Sequence, residues 1–273
     1  MGKTIEFNEY QQKLVSWFEK INQEFNDSNI NWFPIGGTLL GVINYNNILP
    51  WDDDIDMLIS PDEFFLKSHQ IKHIANRNNS TFLDTTKNET QNISMIVSKE
   101  AFSVKYKGRV VKMKMFVDIF IATNNHSPKM MKVFLSLKEK RTTTTSKFVF
   151  SNKKNTWYRS KAYYFEKASA WISNILLLPK ISTILVNKYW YKREVDLSVS
   201  NTFDHRTTKN SHHIDITKWT ETNYGLSKVK VPIDYQQYLN SKFGKFDLTK
   251  NCIKTNNCSM PHIEKWRLTD RGY

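Results

Sequence analysis

Apolar residues recur at steps of three and four along residues 5–25, at Phe7, Tyr10, Leu14, Trp17, Ile21 and Phe25. This spacing puts them on one face of a helix and predicts an amphipathic helix. The polar residues 26–29 end it. A second helix is predicted over residues 61–74, because Ser60 can cap its start and Pro61 suits its first position.

The pattern then changes to short apolar runs of the kind that form strands. They cover residues 81–83, 93–97, 102–106 and 110–121. Gly108 separates the last two runs, so they are predicted to pair as an antiparallel hairpin. Residues 160–193 return to a helical pattern, which Pro179 interrupts.

Residues 32–59 follow neither pattern throughout. An apolar run ends in Gly36-Gly37, Thr38 opens an apolar turn, and a polar loop leads to four carboxylates before a second apolar run. The carboxylates are those of Asp52, Asp53, Asp54 and Asp56. Four negative charges in five residues repel one another unless a positive group lies among them.

Strand alternation decides which of these carboxylates can cooperate. Asp54 and Asp56 share one face, about 7 Å apart along the strand, and can share a divalent ion such as Mg²⁺. The glycine pair before a helix start led by Thr38 offers backbone N–H groups and a positive dipole end to an anion. Each feature alone fits a solvated loop or a simple turn. Together, between two strand-like runs, they favour phosphoryl or nucleotidyl transfer.

Asp118 is a single carboxylate within the apolar run 113–121. A buried aspartate is costly unless it is paired or binds a metal. Asp118 is therefore the candidate third carboxylate of the same site. The alternative is an aspartate on an edge strand that faces water.

The net charge is +14 over 273 residues, which favours anionic partners such as nucleotides, phosphorylated glycans or anionic lipid. An abundance of lysine and asparagine throughout the chain explains much of this charge, and no nucleic-acid recognition motif is present, so no nucleic acid is expected as a partner.

Cys252 and Cys258 are too few for a disulfide-stapled secreted protein. With His262 they form only a weak zinc pattern. Residues 1–12 lack an apolar leader, which predicts a cytoplasmic protein.

Three segments together resemble the LicD family: residues 36–41 (GGTLLG), 50–56 (PWDDDID) and 117–120 (VDIF). This family includes bacterial phosphocholine transferases, is similar to fukutin and fukutin-related protein, and belongs to the nucleotidyltransferase superfamily. The resemblance covers residues 30–122 well and residues 228–247 weakly.

The resemblance implies an α+β fold with a nucleotidyltransferase-like core, in which helices flank a small mixed sheet, and a helical C-terminal part. Residues 1–122 would form the catalytic core and residues 123–160 a variable basic connection. Residues 161–273, mainly helical, would complete the same domain.

The resemblance also implies an activity: transfer of a phospho-alcohol group, phosphocholine or similar, from a CDP-activated donor to a sugar hydroxyl, with release of CMP. The acceptor would be a glycan or glycolipid, so peripheral contact with the inner face of a membrane is a further expectation.

Roles follow for the motif residues. Asp54, Asp56 and Asp118 are the expected catalytic and metal-binding residues, for Mg²⁺ or alternatively Mn²⁺, and Asp118 is either a ligand or the general base. Gly36, Gly37, Thr38 and Asp53 are expected to bind the donor, while Asp52 and Asp53 can also orient the loop or bind a second ion. Arg109, Lys112 and Lys114 are candidate phosphate contacts.

Three alternatives remain open from the sequence. A nucleotidyltransferase that moves NMP from an NTP shares the same core residues and differs in releasing pyrophosphate. An inactive relative that binds glycans or nucleotides is a second alternative, although three like charges in one pocket gain nothing without a metal. A basic nucleic-acid-binding module is the third, with a strong dependence of affinity on salt.

Overall fold

The computed structural model describes residues 4–87, 93–106, 108–123, 178–189, 196–202 and 213–243. The helices are α1 (Phe7–Asp27), α2 (Gly36–Tyr45), α3 (Pro61–Arg77), α4 (Leu178–Tyr189) and α5 (Tyr235–Phe243). The strands are β1 (Thr4–Glu6), β2 (Phe33–Pro34), β3 (Ile55–Ile59), β4 (Ser80–Leu83), β5 (Ser94–Tyr106), β6 (Arg109–Thr123), β7 (Ser200–Thr202), β8 (His213–Ile214), β9 (Trp219–Tyr224) and β10 (Ser227–Pro232).

A mixed sheet forms the centre, and its main path runs in the order β1-β5-β6-β3-β2. β5 and β6 are the predicted antiparallel hairpin, while β3 lies parallel to β6. β4 extends the sheet beside β5, and β7 and β8 extend it from the end of β6. The parallel pairing of β3 with β6 matters most here, because it brings two distant acidic segments side by side.

The helix α1 packs the predicted apolar stripe into the core, as its 3.6-residue period requires. Its six stripe residues are all less than a tenth exposed. The helix α3 starts as predicted: the Ser60 hydroxyl accepts a hydrogen bond from the Glu63 N–H at 3.2 Å, and Pro61 occupies the first turn. Both helices therefore follow from local sequence signals that agree with the tertiary packing.

The hairpin β9–β10 was not predicted from the sequence. Its strands pair from Ser227 with Tyr224 to Pro232 with Trp219, and its turn docks on the end of α2, where the Gly225 N–H donates to the Asn46 carbonyl at 2.7 Å. Few residues of the hairpin are buried: Tyr224 in β9, and Val229, Val231 and Pro232 in β10. Such short, polar strands give a weak periodic signal.

The predicted α+β class is confirmed, with helices flanking a mixed sheet. The helical region around Pro179 is described only from Leu178 onward, where α4 begins. The connection 123–160 (beyond Thr123) and the Cys252, Cys258 and His262 group lie outside the described residues. Within the described part of the chain, none of the helices combines the length and apolar character needed to cross a bilayer.

Candidate active site

The three predicted carboxylates meet at one end of the β3–β6 pair. Asp56 and Asp118 are direct partners in the register of these parallel strands, and Asp54 precedes β3 by one residue. Alternation places Asp54 on the same face as Asp56. One carboxylate oxygen from each of the three residues lies within 4.8 Å of the others. The structure thus brings together the residues that the sequence selected.

This donor set fits a divalent cation. Oxygens bound to Mg²⁺ at about 2.1 Å in an octahedron stand about 3 to 4 Å apart, and carboxylates are preferred ligands. Asp54 is 6% exposed, whereas Asp56 and Asp118 are half-buried. An ion held by these oxygens would therefore have a protein side and an open side.

A second acidic group adjoins the first. Asp52, Asp53 and Asp54 also place one carboxylate oxygen each within 4.8 Å of the others, and Asp53 is completely buried. Burial, followed by the charges of Asp54 and Asp53, raises the pKa of the Asp52 carboxyl well above its usual value. The shift reflects like charges held close together in a buried place, an arrangement that a bound cation would stabilise.

The start of α2 lies against these carboxylates because glycine leaves room for it. Gly36 has φ of +57°, and a Cβ there would stand 3.0 Å from Oδ2 of Asp56. A Cβ on Gly37 would stand 2.5 Å from Oδ2 of Asp52, closer than real Cβ atoms come. The glycine pair thus lets the backbone of α2 approach the acidic cluster, which was not predicted from the sequence, and its contact with donor phosphates stays a prediction.

Thr38 contacts the strand β3 through its side chain, while its contact with donor phosphates stays a prediction. Its buried hydroxyl accepts a hydrogen bond from the backbone N–H of Asp56 at 2.8 Å. This bond fixes the first turn of α2 to β3, so it sets the distance between the helix N-terminus and the carboxylates. Asp53 is likewise buried away from solvent, which suits the loop-orienting alternative better than contact with a donor.

Two residues of α1 hold the acidic loop by its backbone. The amide of Gln11 donates to the carbonyls of Leu49 and Asp52, at 2.9 and 2.7 Å. The hydroxyl of Tyr10 lies 3.2 Å from the carbonyls of both Asp53 and Lys114. Burial, then the charges of Asp53 and Asp54, raises the pKa of Tyr10 well above 10, so its hydroxyl keeps the proton that it donates.

Sequence reasoning missed these roles. Tyr10 was predicted only as part of an apolar stripe, and nothing marked Gln11. A polar residue that directly follows a core position of a helix is the one available signal, and it is weak because residues beside an apolar stripe also face water.

The helix α5 reaches the site from the other end of the chain. The hydroxyl of the buried Tyr238 accepts hydrogen bonds from the Gly36 N–H at 3.2 Å and from Nζ of Lys242 at 3.5 Å. Nζ of Lys242 lies 3.2 Å from the point where a Cβ of Gly36 would stand. No residue of this helix was predicted as a site residue from the sequence.

The hairpin contributes Tyr224, which is completely buried. Burial, then the charges of Asp52 and Asp54, raises its pKa far above 10, and its hydroxyl makes no hydrogen bond to any described residue. Tyr224 thus lies near Asp52 and Asp54, and its hydroxyl stays protonated.

The basic residues predicted on β6 are not brought to the carboxylates. Lys114 and Lys112 lie four and six residues before Asp118, which is roughly 13 and 20 Å along a strand. Lys112 is exposed and Lys114 half-buried, and the side chain of Arg109 lies outside the described part. The cationic group that the structure does place at the site is Lys242.

Comparison with known proteins gives two matches. A family model described as "LicD/FKTN/FKRP, nucleotidyltransferase domain" matches residues 29–167, about half of the chain. The lipopolysaccharide cholinephosphotransferase LicD of Haemophilus influenzae (strain ATCC 51907 / DSM 11121 / KW20 / Rd) is 31% identical over 160 residues. The match covers 56% of this chain and 53% of that relative, so the chain spans about half of the relative's length. The segment that the family model matches contains Asp54, Asp56 and Asp118 together with the glycine pair.

Proposed function

Because this chain belongs to the LicD family, we propose that it is a metal-dependent transferase acting on a CDP-activated alcohol. It would move phosphocholine, or a similar phospho-alcohol, to a sugar hydroxyl of a glycan or glycolipid and release CMP. One observation carries the proposal: the carboxylates of Asp56 on β3, Asp118 on β6 and Asp54 just before β3 converge beside the glycine-led start of α2. The similarity to a lipopolysaccharide cholinephosphotransferase of Haemophilus influenzae supports both phosphocholine and a lipopolysaccharide-like acceptor.

In this proposal Asp54, Asp56 and Asp118 would hold Mg²⁺, or Mn²⁺ in its place. When bound, the ion would offset the negative charge of the diphosphate and of the departing CMP. The half-buried positions of Asp56 and Asp118 support access of a phosphate to that side of the site.

The chain's own groups would position the donor. The first turn of α2 presents N–H groups and the positive end of the helix dipole, which favour a phosphate. The hydroxyl of Thr38 would keep this turn in register with Asp56, since it accepts from the Asp56 N–H. Gln11 and Tyr10 would hold the acidic loop at a constant distance from the strands.

The transfer is an in-line displacement at the phosphorus that carries the alcohol. The acceptor hydroxyl oxygen forms a bond to this phosphorus, and the bond to the bridging oxygen breaks, so that this oxygen leaves on CMP. The hydroxyl proton must go to a base as the bond forms, and a carboxylate at the open side of the site would take it. Asp118 is the proposed base or, if all three carboxylates bind the ion, its third ligand.

A product assay tests the proposal directly. The protein is incubated with Mg²⁺, a panel of CDP-alcohols and NTPs, and a mixture of glycan acceptors. CMP released from one CDP-alcohol, and absent with Asp56→Asn, is the expected result. Pyrophosphate released from an NTP would instead support the nucleotidyltransferase alternative. Neither product, together with metal binding by calorimetry, would indicate an inactive binding relative.

A cytoplasmic site of action, at the inner face of a membrane that holds the acceptor, belongs to the same proposal. The excess of positive charge supports it, because anionic lipid attracts basic surfaces. The test is cosedimentation with vesicles that contain anionic lipid, compared with neutral vesicles. Equal recovery in the supernatant with both at moderate salt would contradict membrane contact.

A further inference from the structure

We infer that Lys242 binds the diphosphate of the nucleotide donor, so that α5 completes a site whose carboxylates lie on β3 and β6. The inference rests on the proposed function and adds a residue to it. It concerns a helix outside the segment that the family model matches, which ends at residue 167.

The position of the ammonium group is the first argument. The Lys242 Nζ and Oδ2 of Asp56 both lie within 3.2 Å of the point where a Cβ on Gly36 would stand. The ammonium group therefore lies beside Gly36, the first residue of α2, and next to Asp56, a candidate metal ligand. A phosphate that accepts from the start of α2 would meet this ammonium group without a rearrangement of the helix.

The support behind Lys242 is the second argument. Tyr238 lies one helical turn before Lys242, on the same face of α5. Its side chain is completely buried. The Tyr238 hydroxyl accepts from both the Gly36 N–H and the Lys242 ammonium. One hydroxyl thus joins the helix start to the lysine, and Leu239 and Phe243 anchor α5 in the core. The contact with the Tyr238 hydroxyl therefore directs the lysine side chain toward the start of α2.

Exposure and charge give the third argument. Lys242 is exposed, although its charged end reaches the acidic site. Because the lysine is exposed, pairing with a carboxylate there would add little to folding stability, which gives a weak structural reason for this placement. A lysine ammonium is a point charge that suits phosphate. A CDP-linked donor brings two phosphates, and Lys242 is the cationic side chain that the described structure sets beside both the helix start and the carboxylates.

The competing explanation is that Lys242 only balances the charge of Asp56. The two explanations differ in what binds more weakly when the charge is removed. A pure counterion competes with a metal, so its loss would strengthen metal binding and leave nucleotide affinity alone. A phosphate ligand contributes to nucleotide binding, and most strongly where the nucleotide carries a diphosphate.

The test measures binding of CDP, and of cytidine as the phosphate-free reference, by calorimetry with Mg²⁺ present. The variants are Lys242→Gln, Lys242→Arg and the control Lys72→Gln, which removes the same charge from an exposed position on α3. We expect Lys242→Gln to weaken CDP binding by about tenfold or more, as for loss of a charged hydrogen bond. Cytidine affinity should not change, Lys242→Arg should retain most of the CDP affinity, and Lys72→Gln should match the unaltered protein.

The outcomes separate the inference from the proposed function. If the unaltered protein does not bind CDP, the proposed donor is wrong and the inference falls with it. If it binds CDP and Lys242→Gln binds CDP equally well, the inference alone is overturned. Mn²⁺ binding without nucleotide is measured on the same samples. Tighter Mn²⁺ binding by Lys242→Gln with unchanged CDP affinity would establish the counterion explanation, while loss of CDP affinity alone supports the inference.

Discussion

The two sides of the candidate site are built in different ways. One side consists of β3, β6 and the start of α2, which all lie between residues 33 and 123 and within the segment shared with the LicD family. The other side consists of α1 and α5, from the two ends of the described chain and outside that segment. The strand side supplies the carboxylates, and the helix side supplies hydrogen bonds and a positive charge.

This difference indicates a division of labour. Chemistry that needs several like charges in one place is carried by rigid strands, where register sets the spacing. The helices orient that chemistry through neutral groups: the Gln11 amide, the Tyr10 hydroxyl and the Tyr238 hydroxyl. If the division is real, changes on the strand side should abolish activity, while changes on the helix side should reduce it.

The largest effect is expected from Asp56→Asn and Asp118→Asn. Each removes a charged ligand with little change in shape, so CMP release should fall by about a thousandfold or more, by analogy with loss of a key electrostatic or acid–base group. Mn²⁺ affinity, measured by calorimetry, should fall with it. Asp62→Asn, an exposed carboxylate in the first turn of α3, is the control and should leave both unchanged. Retention of most activity by Asp56→Asn would refute the metal assignment.

The next largest effect is expected from Gly36→Ala. Its φ of +57° strains any L-residue, and the added Cβ would crowd Asp56 and Lys242. Activity should fall by about a hundredfold, and the free energy of unfolding by about 1 to 3 kcal/mol. Gly108→Ala separates the two causes, because it has φ of +79° but nothing within 4 Å of an added Cβ. It should cost stability only. An equal loss of activity in both variants would show that the contact with Asp56 is irrelevant.

A smaller effect is expected from Gln11→Met on the helix side. It removes the side-chain donor of the buried Asp52 carbonyl and one of the two donors of the Leu49 carbonyl, which keeps the Asp52 N–H, so the free energy of unfolding should fall by about 1 to 3 kcal/mol. Activity should fall by about tenfold, as for groups that orient metal ligands. Gln23→Met, at an exposed position of the same helix, is the matched control and should change neither. Denaturant unfolding and CMP release measure the two effects. A thousandfold loss of activity in Gln11→Met would contradict the proposal that changes on the helix side reduce activity less than changes on the strand side.

The smallest effect on activity is expected from Ser60→Ala. This residue caps α3 directly after the carboxylate strand β3, but among the described residues its hydroxyl accepts only from the Glu63 N–H. Loss of the cap should lower the free energy of unfolding by about 1 kcal/mol and leave the rate of CMP release unchanged. A marked loss of rate in folded Ser60→Ala would show that the end of β3 is coupled to the site more tightly than the comparison allows.

The parts of the structure that could be predicted share one property: their signals are local. The stripe of α1, the cap of α3 and the turn at Gly108 each lie within a few residues and were found. The strand side of the site was also found, because four aspartates in five residues and one aspartate in an apolar strand are anomalies that a single sequence exposes.

The helix side could not be predicted in the same way. Gln11, Tyr238 and Lys242 are ordinary residues for their helices, and each acquires a role only from what lies against it. The hairpin β9–β10 was missed for a related reason, since its burial comes from docking on α1 and α2 rather than from a strong alternation of its own.

By itself, the sequence determined the class of the fold, the three carboxylates and the glycine pair at a helix start. These depend on strand alternation, on charge repulsion and on the absence of a Cβ, which act over a few residues. The tertiary structure alone decided that Asp56 would stand opposite Asp118, that Thr38 would bond to the backbone of β3, and that Lys242 would lie over Gly36. Those placements depend on the register of strands about 60 residues apart in the chain and on the docking of a helix about 200 residues away, which no local pattern of residues encodes.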